Sequence, residues 1–310
     1  MSLSSPKILI VVRAGRNSLH RSWSYLRRER VDVAVSTYED ADWAGPDADF
    51  LHHAPGGKFL GIKHFLAENP GLIDQYDYMW AFEDDLLLPY SSLVTVQALL
   101  ARFRFFLAAP SLSAESFFGW PLTVQNETML WRGTDFVEIM APIMSRDFLK
   151  LALPYFDENF SSWGYEWLWR RFLNETGSFA AILDAAPIVH TRPPGCSTLY
   201  DAGSRSVAIQ EMNDLISKFK LTKEPFRNLF GITNEQTPRL LTANNLLHRM
   251  IGGYRGLMDH NFDNYGRCID GLLNHHRPIA AIDQLRCLNG FAEVENFTSA
   301  GRPFSTSKAD

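Results

Sequence analysis

Cysteine is scarce. Cys196, Cys268 and Cys287 are the complete set in 310 residues, and no two form a C-x-x-C pair. That excludes a disulfide framework and a zinc ribbon, and it suits a reducing compartment, so the expected location is cytoplasmic. The sequons at Asn126, Asn174 and Asn296 then carry little weight, because they matter in secreted chains. No apolar run approaches the ~18 residues of a membrane-spanning helix. The early run Ile8–Val12 is too short for the core of a signal peptide and stops at Arg13. An excess of positive charge is also missing. Thirty Lys and Arg stand against 35 Asp and Glu, a formal net charge of -5, which argues against nucleic acid as a partner through a broad basic face.

What is present is enough apolar material for a large core. The chain is 46% hydrophobic, and at this length folding buries roughly 75% of the unfolded surface, so no staple is needed. All eight tryptophans lie between Trp23 and Trp169. That asymmetry predicts a catalytic domain over residues 1–205, a helical extension over 206–300 and a loose tail over 301–310.

Along the first part, strand-like and helix-like segments alternate. Lys7–Val12, Val31–Val35, Tyr76–Phe82, Phe105–Ala109, Phe136–Met140 and Phe179–Val189 read as strands or extended segments. Ser18–Arg30, Phe59–Glu68, Ser145–Tyr155 and Trp163–Asn174 read as helices. This alternation predicts an α/β layered sheet. Beyond residue 205, Ser206–Phe219, Arg239–Met250 and Ala280–Leu288 carry apolar residues at helical spacing. Such stripes usually pack on a neighbour; a dimer interface or a peripheral membrane contact are the other uses open to them.

Glu83, Asp84 and Asp85 directly follow the apolar strand that ends in Phe82. Adjacent carboxylates repel by about 4 kcal/mol at ~4 Å and an effective dielectric of 20, a cost that a divalent cation relieves. Strand alternation lets Glu83 and Asp85 share one side while Asp84 faces away. A solvated acidic turn is the plainer reading of the triplet taken alone. His190 closes another apolar extended segment, and imidazole with carboxylates suits Mn²⁺, although a lone histidine is more often structural. Arg192 beside it offers a fork of donors to a phosphate. Trp163, Gly164, Tyr165, Glu166 and Trp167 combine a close-approach glycine, flat rings that suit a sugar, and a carboxylate that burial would tune toward a general base. A helix start with an acidic first turn is the alternative there. Lys58 after Gly56-Gly57, and Arg13 and Arg16 after the first strand, are phosphate candidates, with plain loop and surface roles as the alternatives. No Walker A pattern is present.

In this order the pieces resemble the GT-A nucleotide-sugar glycosyltransferases. More narrowly, Tyr76–Tyr78 with Glu83–Asp85, Phe136–Pro142 with Ser145-Arg146, Trp163–Glu166, and Asp184–His190 resemble a plant and bacterial family long catalogued as a domain of unknown function with a glycosyltransferase-like core. The resemblance spans about residues 7–195 and does not reach the last third. It implies a GT-A-like, Rossmann-type mixed sheet flanked by helices, followed by the helical extension. Glu83 and Asp85 match the outer positions of the D-x-D motif and His190 the late metal-binding histidine, so the resemblance implies Mn²⁺ or Mg²⁺ at these three. The first Asp of the motif is Glu here, which makes Asp85 the safer ligand. Glu166 matches the base of inverting members, which activates the acceptor hydroxyl; a retaining mechanism would not need it. Glu138, Trp163 and Tyr165 are implied at the acceptor, and Arg13, Lys58, Asp84 and Arg192 at the donor.

The activity so implied is a metal-dependent, hexosyltransferase-type transfer from a nucleotide sugar, foremost a UDP-sugar, to a glycan or lipid-linked acceptor. The setting it suggests is bacterial surface polysaccharide synthesis at the inner face of the membrane. Two other readings use the same residues. A metal-dependent phosphoesterase or nucleotidyltransferase would use the carboxylates, but only His52-His53 offers a second cluster, and no acidic group adjoins it in sequence. A non-catalytic, glycosyltransferase-like binding module would not need Glu83, Asp85, Glu166 and His190 together.

Overall fold

In the computed structural model of the chain, residues 5–29, 31–39, 48–194, 204–275, 282–301 and 303–306 are described. Cys196, Gly195 and the last four residues of the expected tail lie outside them.

The β-branched runs of the first part build one side of a mixed sheet, out to its edge. Strands β1 (Ile8–Ala14), β2 (Val31–Thr37), β3 (Phe50–His53) and β4 (Tyr78–Glu83) are mutually parallel in the order β3-β2-β1-β4. Every residue of β1 is buried, as expected for a parallel strand covered on both faces. The sheet continues through β8 (Ile143–Ser145), β6 (Leu107–Leu112), β9 (Ala180–His190), β7 (Met129–Thr134), β10 (Asn228–Thr233) and β11 (Leu240–Leu241). A short strand, β5 (Leu86–Leu87), pairs antiparallel with the end of β9.

Helices α1 (Lys58–Glu68), α2 (Tyr90–Phe103), α3 (Arg146–Ala152) and α4 (Tyr165–Glu175) flank the sheet, and α5 (Ser204–Lys218) contacts α4. Then follow α6 (Ala243–Gly253), α7 (Arg255–His260), α8 (Phe262–His275), α9 (Ile282–Arg286) and α10 (Phe291–Ser299). Two apolar layers result. One holds Trp80, Phe82, Leu93 and Trp131, with Leu246 and Phe291 from the C-terminal helices; the other holds Phe59, Phe65, Phe148, Tyr165 and Trp169.

Three expectations change. Phe136–Met140 is not a strand. Its carbonyls turn to other partners: Ile139 and Met140 accept from Lys58 Nζ, and Met140 also accepts from the Glu83 N–H. The segment therefore crosses the end of the sheet instead of joining it. Leu19–Arg28 is a 3₁₀ helix rather than an α-helix. The last third is not purely helical, because β10 pairs with β7 inside the main sheet. Arg132 of β7 and Asp184 of β9 also meet there in a fully buried two-bond ion pair of 2.8 and 2.9 Å, and Arg132 Nη1 donates to Asn228 Oδ1 of β10 at 3.1 Å. Among the described residues no helix is long and apolar enough to cross a membrane.

Candidate functional site

Strands β1, β4 and β9 all end on one side of the sheet, and the expected acidic cluster lies there. Beyond β4 the chain turns through Asp84-Asp85 into β5, which pairs Leu86 with His190 and Leu87 with Val189. The Asp85 carbonyl accepts from the N–H and the hydroxyl of Thr191 at 3.1 and 2.8 Å. This small ladder carries His190 to the acidic turn across more than a hundred residues of sequence.

Glu83, Asp85 and His190 each offer one ligand atom, and these atoms lie within 4.8 Å of one another. His190 Nε2 is 3.3 Å from Asp85 Oδ2. On the other side of the ring, Nδ1 bonds the Phe117 carbonyl at 2.8 Å, so Nδ1 carries hydrogen and Nε2 faces the carboxylates. Asp85 Oδ1 is buried without a hydrogen-bond partner. An orphaned carboxylate oxygen, a second carboxylate and an oriented imidazole make a donor set that fits Mn²⁺, and Mg²⁺ through the carboxylates. Burial alone would lower His190, but the hydrogen bond and charge of Asp85 outweigh it and raise it to about 9. Withdrawal from water pushes Glu83 up, with Lys58 pulling it back.

The three groups stand in a cleft of about 430 Å³ that also admits Glu138, Trp163, Glu166 and Arg192. Glu166 lies in the first turn of α4. Gly164, at φ +100°, caps that helix in the left-handed region, where a side chain would be strained, and its N–H donates to Glu166 Oε2 at 3.1 Å. Burial, partly offset by hydrogen bonds from the backbone N–H groups of Glu166 and Gly164, raises Glu166 to about 7. Glu138 is raised further, to about 8, by burial and by the charges of Glu166 and Glu83. Its Oε2 is buried with no partner, while Oε1 lies 3.1 Å from where a Cβ on Gly119 would stand.

The remaining expected residues divide. Arg192 keeps its place at the cleft wall, donating to Asp84 Oδ1 at 3.3 Å and to the Asn17 carbonyl at 2.8 Å. Asp84 accepts from the Gly15 N–H at 2.8 Å, and so ties the loop after β1 to the acidic turn. Lys58 is buried, and its Nζ donates to the carbonyls of Ile139 and Met140 at 2.7 and 2.6 Å, 3.9 Å from Glu83 Oε1. Burial pulls it down to about 8 against the carboxylates.

Two residues have other work. Arg13, expected at a phosphate, lines the cleft, but its guanidinium is buried and donates to the carbonyls of Ser36, Thr37, Ala54 and Gly56, pinning the loop before α1. Tyr165 was expected beside the acceptor. It is fully buried against Phe59 and Trp169, and its hydroxyl donates to the Tyr155 carbonyl at 2.5 Å. In a helix, Glu166 and the residue before it point to different faces, so only Glu166 looks into the cleft. Sequence reasoning missed Trp120, which lines the cleft beside Trp167 with the two rings 5.8 Å apart.

No family model matches the chain, and no curated protein does. Among solved structures, the crystal structure of GalNAc-T7 with UDP, GalNAc and Mn²⁺ aligns at a TM-score of 0.48 and 9% identity, over 69% of this chain and 48% of that one. The chain thus spans about half the length of that protein. The inositol-1-phosphate CTP transferase from T. maritima aligns at 0.38 and 11% identity, over 67% of this chain and 97% of that one. Neither alignment assigns a residue role; the reading below rests on the side chains of the cleft.

Proposed function

We propose that this chain is a metal-dependent glycosyltransferase that moves a sugar from a nucleotide-sugar donor, foremost a UDP-sugar, to a hydroxyl of a glycan or lipid-linked acceptor. The observation that carries the reading is one cleft holding both a three-ligand cation site, Glu83, Asp85 and His190, and a separate buried carboxylate, Glu166, tuned to about 7. Transfer requires these two elements: stabilisation of the departing diphosphate and a base for the attacking hydroxyl.

Glu83, Asp85 and His190 would hold a divalent ion, which would supply positive charge to the diphosphate. The protein side chains do the rest. Arg192, at the cleft wall, adds donors on the diphosphate side. Glu166, ionised above about pH 7, accepts the acceptor hydroxyl's proton at its carboxylate. Glu138, protonated below about pH 8, donates to a sugar hydroxyl through the carboxyl that has no partner within the protein. Trp163 covers the sugar with its ring. Lys58 acts at one remove, clamping Ile139-Met140 and thereby the Glu138 loop.

The test is transfer itself. Purified protein with Mn²⁺ and radiolabelled nucleotide sugars is offered glycan and lipid-linked acceptors, alongside Glu166→Gln. The reading expects metal-dependent transfer that Glu166→Gln lowers by about 10²–10⁴-fold. Full transfer by that variant would remove Glu166 from the mechanism.

A further inference from the structure

Beside the cleft lies a second cavity of about 350 Å³, between the sheet and helix α8. The two share a wall, Gly119-Trp120. That wall stands against the cleft carboxylates, since a Cβ on Gly119 would lie 3.1 Å from Glu138 Oε1, and the Trp120 ring is 5.8 Å from that of Trp167, the neighbour of Glu166. An acceptor that places a hydroxyl at Glu166 and extends past Gly119-Trp120 meets this cavity.

The lining decides what part of a ligand fits. Trp120, Phe136, Phe226, Tyr254, Pro121 and Leu272 present mostly ring surface. Trp120, Phe136 and Phe226 hold one another edge-on or tilted, with centroids 4.4–5.4 Å apart. Several polar groups of the lining are engaged within the protein. Asn228 Oδ1 accepts from Arg132, Arg267 donates to the Phe118 carbonyl and stacks on the Phe118 ring at 4.3 Å, and Asp270 has a partner as well. What remains on offer is mostly apolar contact. The volume holds one or two rings, too little for a long lipid chain, and rings packed against rings prefer an aromatic guest.

Resting on the transferase reading above, we propose that this cavity is an acceptor subsite for an apolar aromatic aglycone, so that the preferred acceptor is an aryl-bearing sugar whose hydroxyl reaches Glu166. The C-terminal helices that wall the cavity are thereby part of acceptor selection.

The test compares methyl, octyl and 4-methylumbelliferyl glycosides of the same sugars for binding to the intact protein, by calorimetry and by fluorescence of the aryl group. UDP binding with Mn²⁺ is measured separately. An aryl glycoside is expected to bind at least about ten-fold tighter than the methyl one, the gain from burying a ring. It should also exceed the octyl glycoside. In Gly271→Leu, whose new side chain starts 3.2 Å from Pro121 Cβ at the cavity wall, the aryl advantage should vanish while UDP–Mn²⁺ binding persists. Equal binding of methyl and aryl glycosides by the unaltered protein overturns the proposal, whatever the variant does. Octyl matching aryl overturns the aromatic assignment. Aryl selectivity without nucleotide binding supports the cavity and contradicts the transferase reading instead, so the two failures are distinguishable.

Discussion

At Glu166 the carboxyl sits near 7 because burial outweighs two backbone hydrogen bonds. The ionised form is the working one, so transfer should climb as pH rises through about 7, then turn down above about 8, where Glu138 loses the proton it donates. A rate profile between pH 5.5 and 9 checks this; a rate that falls across the first step would reverse the role. Glu138 has the opposite meaning for stability. Its folded value near 8 exceeds the ordinary 4.5, so the folded state holds the proton more tightly and this contribution is lost as pH rises between them. Glu138→Gln in EDTA should therefore gain melting temperature relative to the unaltered protein at pH 8, and little at pH 4.5. At this scale much of the site was legible. Glu83, Asp85 and His190 stand at strand ends, where chemistry gathers in open α/β sheets. Which way a side chain turns is not legible in sequence: Arg13 lines the cleft but spends its donors on a ring of carbonyls, and Tyr165 turns into the core.

Among the elements, the loop before α4 and the start of α1 hold the cleft together. A Cβ on Gly57 would fall 1.8 Å from the Phe160 carbonyl oxygen, so this backbone approach requires glycine. Gly57→Ala must push residues 160–164 aside, and with them the Gly164 N–H that bonds Glu166. We expect a stability loss of roughly 1–3 kcal/mol in urea unfolding, with transfer falling further than stability predicts. Ile8–Ala14 and Val31–Thr37 were readable as strands because β-branched runs sit between turns, whereas Phe50–His53, Met129–Thr134 and Ile143–Ser145 went unassigned. Phe136–Met140 has the same composition and is no strand, since Lys58 and Glu83 claim its carbonyls, a long-range contact that periodicity does not register. The helix Tyr90–Phe103 carries no assignment in the sequence reading, its apolar stretch lying close behind the acidic turn. In Asn228–Thr233 a short buried strand is enclosed by helical stripes, and short apolar runs do not separate strand from helix.

For the whole molecule, we expect that the boundary read at residue 205 does not mark a detachable part. Strand β10 completes the sheet beyond β7, and Leu246, Met250 and Phe291 lie in the same apolar layer as Trp131. Arg132, paired with Asp184 and bonded to Asn228, joins the two regions in a dry setting. Removing one partner of such a pair costs about 3–5 kcal/mol, so Arg132→Met should lower the unfolding free energy by that order in guanidinium titrations. A chain ended at residue 205 would leave β7 with an open edge; it should bind a hydrophobic dye and lose cooperative melting. Cooperative melting of that fragment would restore the extension as a separate domain.

The central claim is that the acidic cleft holds a metal and a nucleotide together. The most direct measurement is the thermal midpoint of the intact protein with UDP, GDP, CDP or CMP, each with and without Mn²⁺. A ligand at 100 times its dissociation constant adds about 2.7 kcal/mol, a shift of several degrees at roughly 2–4 °C per kcal/mol. We expect one nucleotide, foremost UDP, to give that shift only with Mn²⁺, and Asp85→Asn to lose it while remaining folded. An unmoved midpoint with every nucleotide, or an equal shift without the metal, would contradict the account.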